Sequence, residues 1–261
     1  MKGVFEARHK DNSIYYRASV TYKRKHISLG SYNDESTAHA AYEEALSTLN
    51  GDCTIDDYDV RSALSFDKYV SLINVRDNNI YISNPIYIRP KMFYYYLSRE
   101  EILKFDVDDL FYYSSHRIMK RGNHLFVADY GMQVNIAGRY GIKNHAVIGR
   151  DYDHLNGDRL DYRYSNIVIH NSYNGVSRII KNGEVSYKAT IHIRGNYSVG
   201  IYDTIEKAAI AYNKAADIIN SHGCRKQYSK NYIDDMPSSV YREIYDTLPI
   251  SEKLLQLYFE K

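Results

Sequence analysis

The feature that most constrains this chain is a repeat at its two ends. Near the start stand Gly3-Val4, Tyr16-Arg17-Ala18-Ser19-Val20, Leu29-Gly30-Ser31-Tyr32-Asn33-Asp34, then Ala38, Ala41-Tyr42 and Ala45. Near the end stand Gly175-Val176, Tyr187-Lys188-Ala189-Thr190-Ile191, Val199-Gly200-Ile201-Tyr202-Asp203-Thr204, then Ala208, Ala211-Tyr212 and Ala215. The offset from Leu29 to Val199 is 170 residues and holds through Ala45 and Ala215. Similarity over so long a stretch with so few gaps implies two copies of one supersecondary unit.

The local physics of each copy is plain. From Tyr16 to Tyr22 apolar and polar residues alternate, with Ala18 and Val20 on one face and Arg17, Ser19 and Thr21 on the other. That period of two predicts a half-buried strand. Lys23-Arg24-Lys25 reads as a basic hairpin turn, His26 to Leu29 as the next strand, and Gly30-Ser31-Tyr32-Asn33 as a break. Asn33 or Asp34 can cap a helix running to about Leu49 and ended by Asn50-Gly51. Ala38, Ala41, Tyr42, Ala45 and Leu49 share one helical face, and the alanines let that helix lie close on a sheet. In the second copy Ala189, Ile191 and Ile193 face inward and Lys188, Thr190, His192 and Arg194 outward. Its helix runs from about Thr204 to Ile219.

A chain of 261 residues has room for two or three small domains. An apolar share of 44% and a charged share of 25% are those of a folded protein. No apolar run approaches the roughly 18 residues of a membrane span, and Met1-Lys2-Gly3-Val4 opens no signal peptide, so the expectation is a cytoplasmic protein with no membrane partner. Two cysteines cannot build a zinc ribbon, so any metal must be held by His, Asp and Asn. Net charge is only +2, but its distribution is uneven: Lys2, Arg8, Lys10, Arg17, Lys23, Arg24 and Lys25 precede Asp34, Glu35, Glu43 and Glu44. A basic sheet backed by an acidic helix has a one-sided electrostatic footprint. With 29 tyrosines and no tryptophan, Tyr serves as the bulky core residue, and single tyrosines carry little functional signal.

Between the copies the signal is weaker. Leu64 to Val75 reads as a helix or a mixed strand, and Asn79 to Ile88 as a strand interrupted by Pro85 and Pro90. Leu97-Ser98-Arg99-Glu100-Glu101 reads as a capped helix start. Arg121-Gly122-Asn123 is a hairpin turn, with strands over His124 to Ala128 and Gln133 to Ala137. An Asp153-His154 pair then closes an apolar run, an Asn156-Gly157-Asp158 turn follows, and Asn166 lies twelve residues after the histidine. Beyond the second copy, Val240, Ile244 and Leu248, then Leu254, Leu255 and Leu257, have helical spacing on either side of Pro249. Packing against the second copy is the expected role of this tail, with a dimer contact as the alternative.

Three strands and a helix with Leu-Gly-Ser-Tyr and Ala-Ala-Tyr signatures resemble the ethylene-response-factor (APETALA-type) DNA-binding domain. That resemblance places Arg8, Arg17, Lys23, Arg24 and Lys25 of the first copy, and Arg178, Lys188, His192 and Arg194 of the second, at double-stranded DNA. The physics agrees: a β-ribbon fits the major groove, and Arg and Lys neutralise phosphates. The family's tryptophans are absent, with Tyr15, Tyr16 and Tyr187 nearby. The central stretch resembles phage-type HNH homing endonucleases, in which such modules are common. It implies His154 as general base, Asp153 as ligand to Mg²⁺ (or Mn²⁺), and Asn166 as the middle Asn that fixes the loop or orients the imidazole. The chain departs from that pattern in two places. Tyr162 stands where many relatives carry Asn, and only His170 to Asn174 separates Ile169 from the second copy, where the family places a helix with its third ligand. Asn174 is the best-spaced substitute, with His170 and Asn171 as alternatives. His145 is a further candidate to support the site.

The expectation is therefore an α+β chain, with two small three-stranded-sheet-plus-helix modules flanking a central ββα-metal (HNH-like) domain. The boundaries read as 1-54, 55-170, 171-235 and a helical tail over 236-261. The expected activity is sequence-recognising, metal-dependent DNA cleavage. The alternative is a catalytically degenerate relative that binds DNA as a regulator or inhibitor.

Overall fold

A computed structural model of the chain describes residues 1–144 and 146–259. The fold is mixed α+β, assembled from small antiparallel sheets and helices. The chain divides into two compact units, Met1–Ile136 with Asp158–Asn166, and Ala137–Gly157 with Ile167–Lys261. The stretch 55–170 is thus shared between them. His145, named above as a candidate support of the site, lies outside the described residues.

In the first unit, β1 (Val4–Arg8), β2 (Ile14–Tyr22) and β3 (Lys25–Tyr32) form a sheet in that order. The expected break at Gly30-Ser31-Tyr32 is absent. A β-bulge between Ala18 and Ser19 takes up the irregularity, and pairing resumes with Ala18 opposite Gly30 and Tyr16 opposite Tyr32. Asp34 then caps α1 (Glu35–Asn50), its carboxylate accepting from the Thr37 amide at 2.8 Å. Ala38, Ala41 and Ala45 are fully buried against Ala18, Val20, Ile27 and Leu29. The unpaired carbonyls at the helix end are met from outside: the Arg76 guanidinium donates to the carbonyls of Thr48 and Gly51. Arg76 belongs to α2 (Phe66–Asn78), which adds Leu72 and Val75 to the same core.

The rest of that unit holds two more three-stranded sheets. The first is β4 (Ile86–Arg89), β5 (Met92–Tyr96) and β6 (Ile102–Asp106). Residues 97–101, expected from sequence to start a helix, instead connect β5 to β6. The Ser98 hydroxyl accepts from the amides of Glu100 and Glu101, so the capping chemistry is present but closes a turn. After α3 (Leu110–Ser115) come β7 (Ile118–Arg121), β8 (His124–Asp129) and β9 (Met132–Asn135). Phe93, Tyr95, Phe105 and Tyr113 are fully buried, and the Phe105 and Tyr113 rings stack at 4.4 Å. The Tyr95 hydroxyl accepts the Ile118 amide at 2.9 Å, satisfying the polar end of a core tyrosine. Residues 158–166 strap onto β6: the Lys104 amide donates to the Leu160 carbonyl, the Tyr162 amide to the Lys104 carbonyl, and the Lys104 ammonium to Asp158 at 2.6 Å.

The second unit contains a two-stranded ribbon, β10 (Tyr152–His154) against β11 (Ile167–Ile169). The second copy of the repeat follows directly. Strands β12 (Val176–Lys181), β13 (Glu184–His192) and β14 (Asn196–Tyr202) form its sheet, and α4 (Ile205–Ser221), capped by Thr204, covers it. The bulge recurs at the equivalent place, between Ala189 and Thr190. The tail forms α5 (Ser238–Thr247) and α6 (Glu252–Leu255), and Leu248 and Leu254 are buried in the α4 core, the packing role expected of them.

One contact is reproduced in both copies. Gly3 has φ +73° and Gly175 φ +69°, and a Cβ at either would overlap the ring of Tyr42 or Tyr212. Each glycine carbonyl also accepts the amide at the bulge, Ser19 in one copy and Thr190 in the other. Gly3→Ala and Gly175→Ala are each expected to destabilise by about 2–4 kcal/mol, combining left-handed strain with overpacking. Hydrogen exchange should show Gly3→Ala loosening amides of the first unit only, and Gly175→Ala those of the second only. The Lys104 hydrogen bond holds the Asp158 carboxyl below its ordinary range. A depressed carboxyl stabilises the fold above its unfolded pKa of about 3.9 and loses that contribution as pH falls through the folded value. A Lys104→Met, Asp158→Asn double-mutant cycle should therefore give a coupling of about 0.5–1 kcal/mol at neutral pH. The coupling should vanish in acid.

Candidate functional site

The stretch that carries the sequence signal is organised around Asp151, a residue no motif singles out. Its side chain is 5% exposed. One carboxylate oxygen accepts from the Val147 amide at 2.8 Å and from the Arg150 guanidinium at 2.7 and 3.0 Å. The other accepts from the Asn171 amide group at 3.1 Å. Burial by itself would raise this carboxyl. The hydrogen bonds from Arg150, Val147 and Asn171 more than offset it, so the net shift is downward. The Asp151 carbonyl accepts the amides of His170 and Asn171, and Asn171 in turn donates to the Val176 carbonyl. One buried carboxylate thus ties the loop before β10 to the segment leaving β11 and to the first strand of the second module.

In the ribbon, Asp153 pairs with Val168 and His154 with Ile167. Alternation on a strand sends the side chains of Asp153 and His154 to opposite faces. Asp153 shares its face with His170, just beyond β11. Its Oδ2 lies 2.8 Å from His170 Nε2, and its Oδ1 accepts the Gly149 amide at 3.0 Å. Both side chains remain accessible, Asp153 at 41% and His170 at 27%. His154 is 8% exposed, and its ring meets Tyr152 edge-on at 5.7 Å. The Gly157 amide donates to the His154 carbonyl, closing the turn that follows.

The remaining site candidates are engaged as follows. The Asn166 amide group donates to the Asp161 carbonyl at 2.9 Å and closes the 161–166 loop within the first unit. Arg163 grips the fully buried Asp161 carboxylate through Nε and Nη2 at 2.9 and 2.6 Å. Tyr162, which replaces an expected Asn, places its ring 5.7 Å from Phe105 and acts as a packing residue. No helix follows β11: residues 170–175 run without one into β12. Asn174 accepts from the Lys143 ammonium at 3.1 Å and donates to the Ser229 carbonyl at 3.1 Å. The residue brought to Asp153 is therefore His170. Its signal in the sequence is its place one residue past an apolar strand, which spacing alone does not favour over Asn174.

Among the described residues no group of three or more His, Cys, Asp or Glu converges as a metal cage. Asp153 and His170 supply a carboxylate and an imidazole at contact distance. A carboxylate oxygen suits Mg²⁺ or Mn²⁺ and an imidazole nitrogen suits softer divalent ions, so the pair by itself singles out no metal.

Within each module the basic residues do not share one face of the sheet. Arg17 stands opposite Phe5 and Ser31, on the outer face of its sheet, and donates to the Tyr15 hydroxyl at 2.7 Å. Lys188 occupies the equivalent outer position, opposite Ser177 and Ile201. Arg8 and Arg178 fall on the other parity of their strands, as does Lys25. Arg8 pairs with Glu6 at 3.5 Å, Lys23 bonds Asn79, and Lys25 lies over the Tyr81 ring. Lys23 and Arg24 form the two-residue hairpin tip with φ +45° and +67°, a conformation that usually selects Asn or Gly. The His192 ring bonds Asn196 at 2.9 Å. Arg24, Arg178, Lys188 and Arg194 make no ion pair among the described residues.

In comparisons with known proteins, the chain matches no family model, no curated protein and no solved structure. No helix among the described residues is long and apolar enough to cross a membrane.

Removing the Asp151 carboxylate leaves the Val147 and Asn171 donors without their acceptor, at about 1–3 kcal/mol for each donor that stays buried. Asp151→Ala should lower the unfolding midpoint of the second unit in urea. It should raise exchange at the Val147 amide, which loses its carboxylate acceptor, more than at the Asn171 backbone amide, which keeps the Asp151 carbonyl. Arg150→Ala, which removes only the exposed partner, should cost markedly less.

Proposed function

We propose that the protein is a metal-dependent DNA endonuclease of the HNH type, whose two end modules hold double-stranded DNA. The observation that carries this reading is the Asp153–His170 contact on the short ribbon that also bears His154. Asp153 and His170, 2.8 Å apart at Oδ2 and Nε2, are the residues that would hold the divalent cation. When bound, that cation supplies charge neutralisation at the scissile phosphate. His154 is the imidazole to take the proton from the attacking water once bound DNA gives it access, since in this structure it is 8% exposed and faces away from Asp153. Arg17 and Lys188 on the outer sheet faces, with Arg24 and Arg194 at the hairpin tips, neutralise backbone phosphates. The left-handed backbone at Lys23-Arg24 keeps two cations at a turn where Asn or Gly costs less, which favours a role for them beyond the fold.

A second reading has specific support. The segment after β11 lacks a helix, and Asn174 is committed to Lys143 and Ser229. On that reading the chain binds DNA without cutting it.

One experiment separates the two. Purified protein is incubated with supercoiled plasmid and with a randomised duplex library, in Mg²⁺ or Mn²⁺, with and without a chelator. The endonuclease reading expects nicking or cleavage that the chelator abolishes. His154→Ala should lower it at least about 10²-fold, the lower end of what general-base catalysis contributes. Asp153→Ala and His170→Ala should do the same, all with DNA affinity retained. Wild-type protein that binds duplex yet leaves every substrate intact in both metals would establish the second reading.

A further inference from the structure

Within the second unit lies a cleft of about 1080 Å³, walled by the loop before β10, the segment around Asn174, the outer face of the second module's sheet and residues 226–229. That is larger than a single small anion needs and comparable to a site for an extended ligand. Its walls carry Lys143, Arg150 and Lys226, and Asp151 is the one carboxylate among its described lining residues. Arg150 already takes the Asp151 charge, leaving both lysines uncompensated. Lys143 is half-buried and bonds only the neutral Asn174 amide oxygen, so two of its three donors stay free among the described residues. Burial lowers its pKa with no carboxylate nearby to counter the effect. A buried cation without an anion is costly, and persists most easily where an anion arrives with the ligand. Lys226 is held at the sheet's end of the cleft, its ammonium donating to the His192 carbonyl at 2.8 Å and lying 5.3 Å from the Tyr228 ring centroid.

We infer that this cleft is a phosphate-binding groove in which Lys143 and Lys226 receive successive phosphates of a nucleic-acid backbone. It rests on the reading of the chain as a DNA-binding protein and is independent of whether the ribbon cuts. None of the residues assigned to cleavage lines it. The outer face that presents Lys188 also contributes Thr190 and His192 to the groove wall, so a strand lying on that face continues into it. Asn174, expected from its spacing to be a metal ligand, instead positions the Lys143 ammonium.

The test is the salt dependence of binding to a mixed-sequence duplex, followed by fluorescence anisotropy. Lys143→Met with Lys226→Met is expected to weaken binding at least tenfold near physiological salt. It should also flatten the slope of log affinity against log salt by about 1.8, or roughly 0.9 for each phosphate that is no longer neutralised. Lys143→Arg should keep most of the wild-type affinity, and Lys253→Met, a lysine on α6 outside the groove, should change neither quantity. Unchanged affinity and slope in the double variant, with wild type binding normally, overturn the groove while leaving DNA binding by the modules intact. Wild type with no salt-dependent duplex affinity would instead sink the DNA reading. Titration of wild type and the double variant with inorganic phosphate and a nucleoside triphosphate then decides the groove. Binding that disappears in the variant keeps the site with a small phosphate as its ligand, and no binding by wild type removes it. Matching melting curves exclude misfolding as the cause of any loss.

Discussion

Both end modules depend on the close approach of a helix to a sheet, and that approach turns on a glycine beneath a tyrosine ring. Tyr42 on α1 and Tyr212 on α4 lie where a Cβ of Gly3 or Gly175 would stand. The left-handed backbone at each glycine brings its carbonyl to the amide at the bulge of the central strand. Helix, first strand and central strand are thereby fixed together at one point. The alanines at 38, 41 and 45, and at 208, 211 and 215, then fill a space too thin for larger side chains. Recurrence of this arrangement some 170 residues apart argues that it is the condition on which the module forms.

Asp151 plays a comparable part in the ribbon. Neither β10 nor β11 exceeds three residues, too short to be stable alone. The carboxylate gathers the Val147 loop, Arg150 and Asn171, and its carbonyl gathers the two amides that leave β11. That knot places His170 against Asp153. A buried carboxylate needs several donors to remain charged, and here those donors come from both ends of the ribbon.

Much of this is legible in the sequence where the physics is local. The strand alternation around Ala18 and Ala189, the cap at Asn33 or Asp34, the helix start near Thr204, and the hairpin turn at Lys23-Arg24 all depend on neighbours close along the chain. Sequence and structure part where local chemistry is ambiguous. Ser98 with two glutamates caps a helix or closes a turn equally well, and the flanking strands β5 and β6 decide for the turn. Gly30 reads as a break because glycine weakens a strand, yet a bulge one register away absorbs the irregularity. Tyr162 reads as a missing amide and packs near Phe105, a residue far away in the chain.

From the sequence alone come the repeat, the central strand and the helix of each copy, the α+β class and the candidate side chains around Asp153-His154. These follow from periodicity, capping and residue type, which act over a few residues. Only the tertiary structure decides which of those side chains meet. Strand parity sends Arg8 and Arg178 away from the faces of Arg17 and Lys188, and puts Asp153 and His154 on opposite sides of one strand. The absence of a helix after β11 leaves Asn174 to Lys143 and brings His170 to Asp153. Such pairings are set by register and by long-range hydrogen bonds, whose partners no spacing along the chain can name.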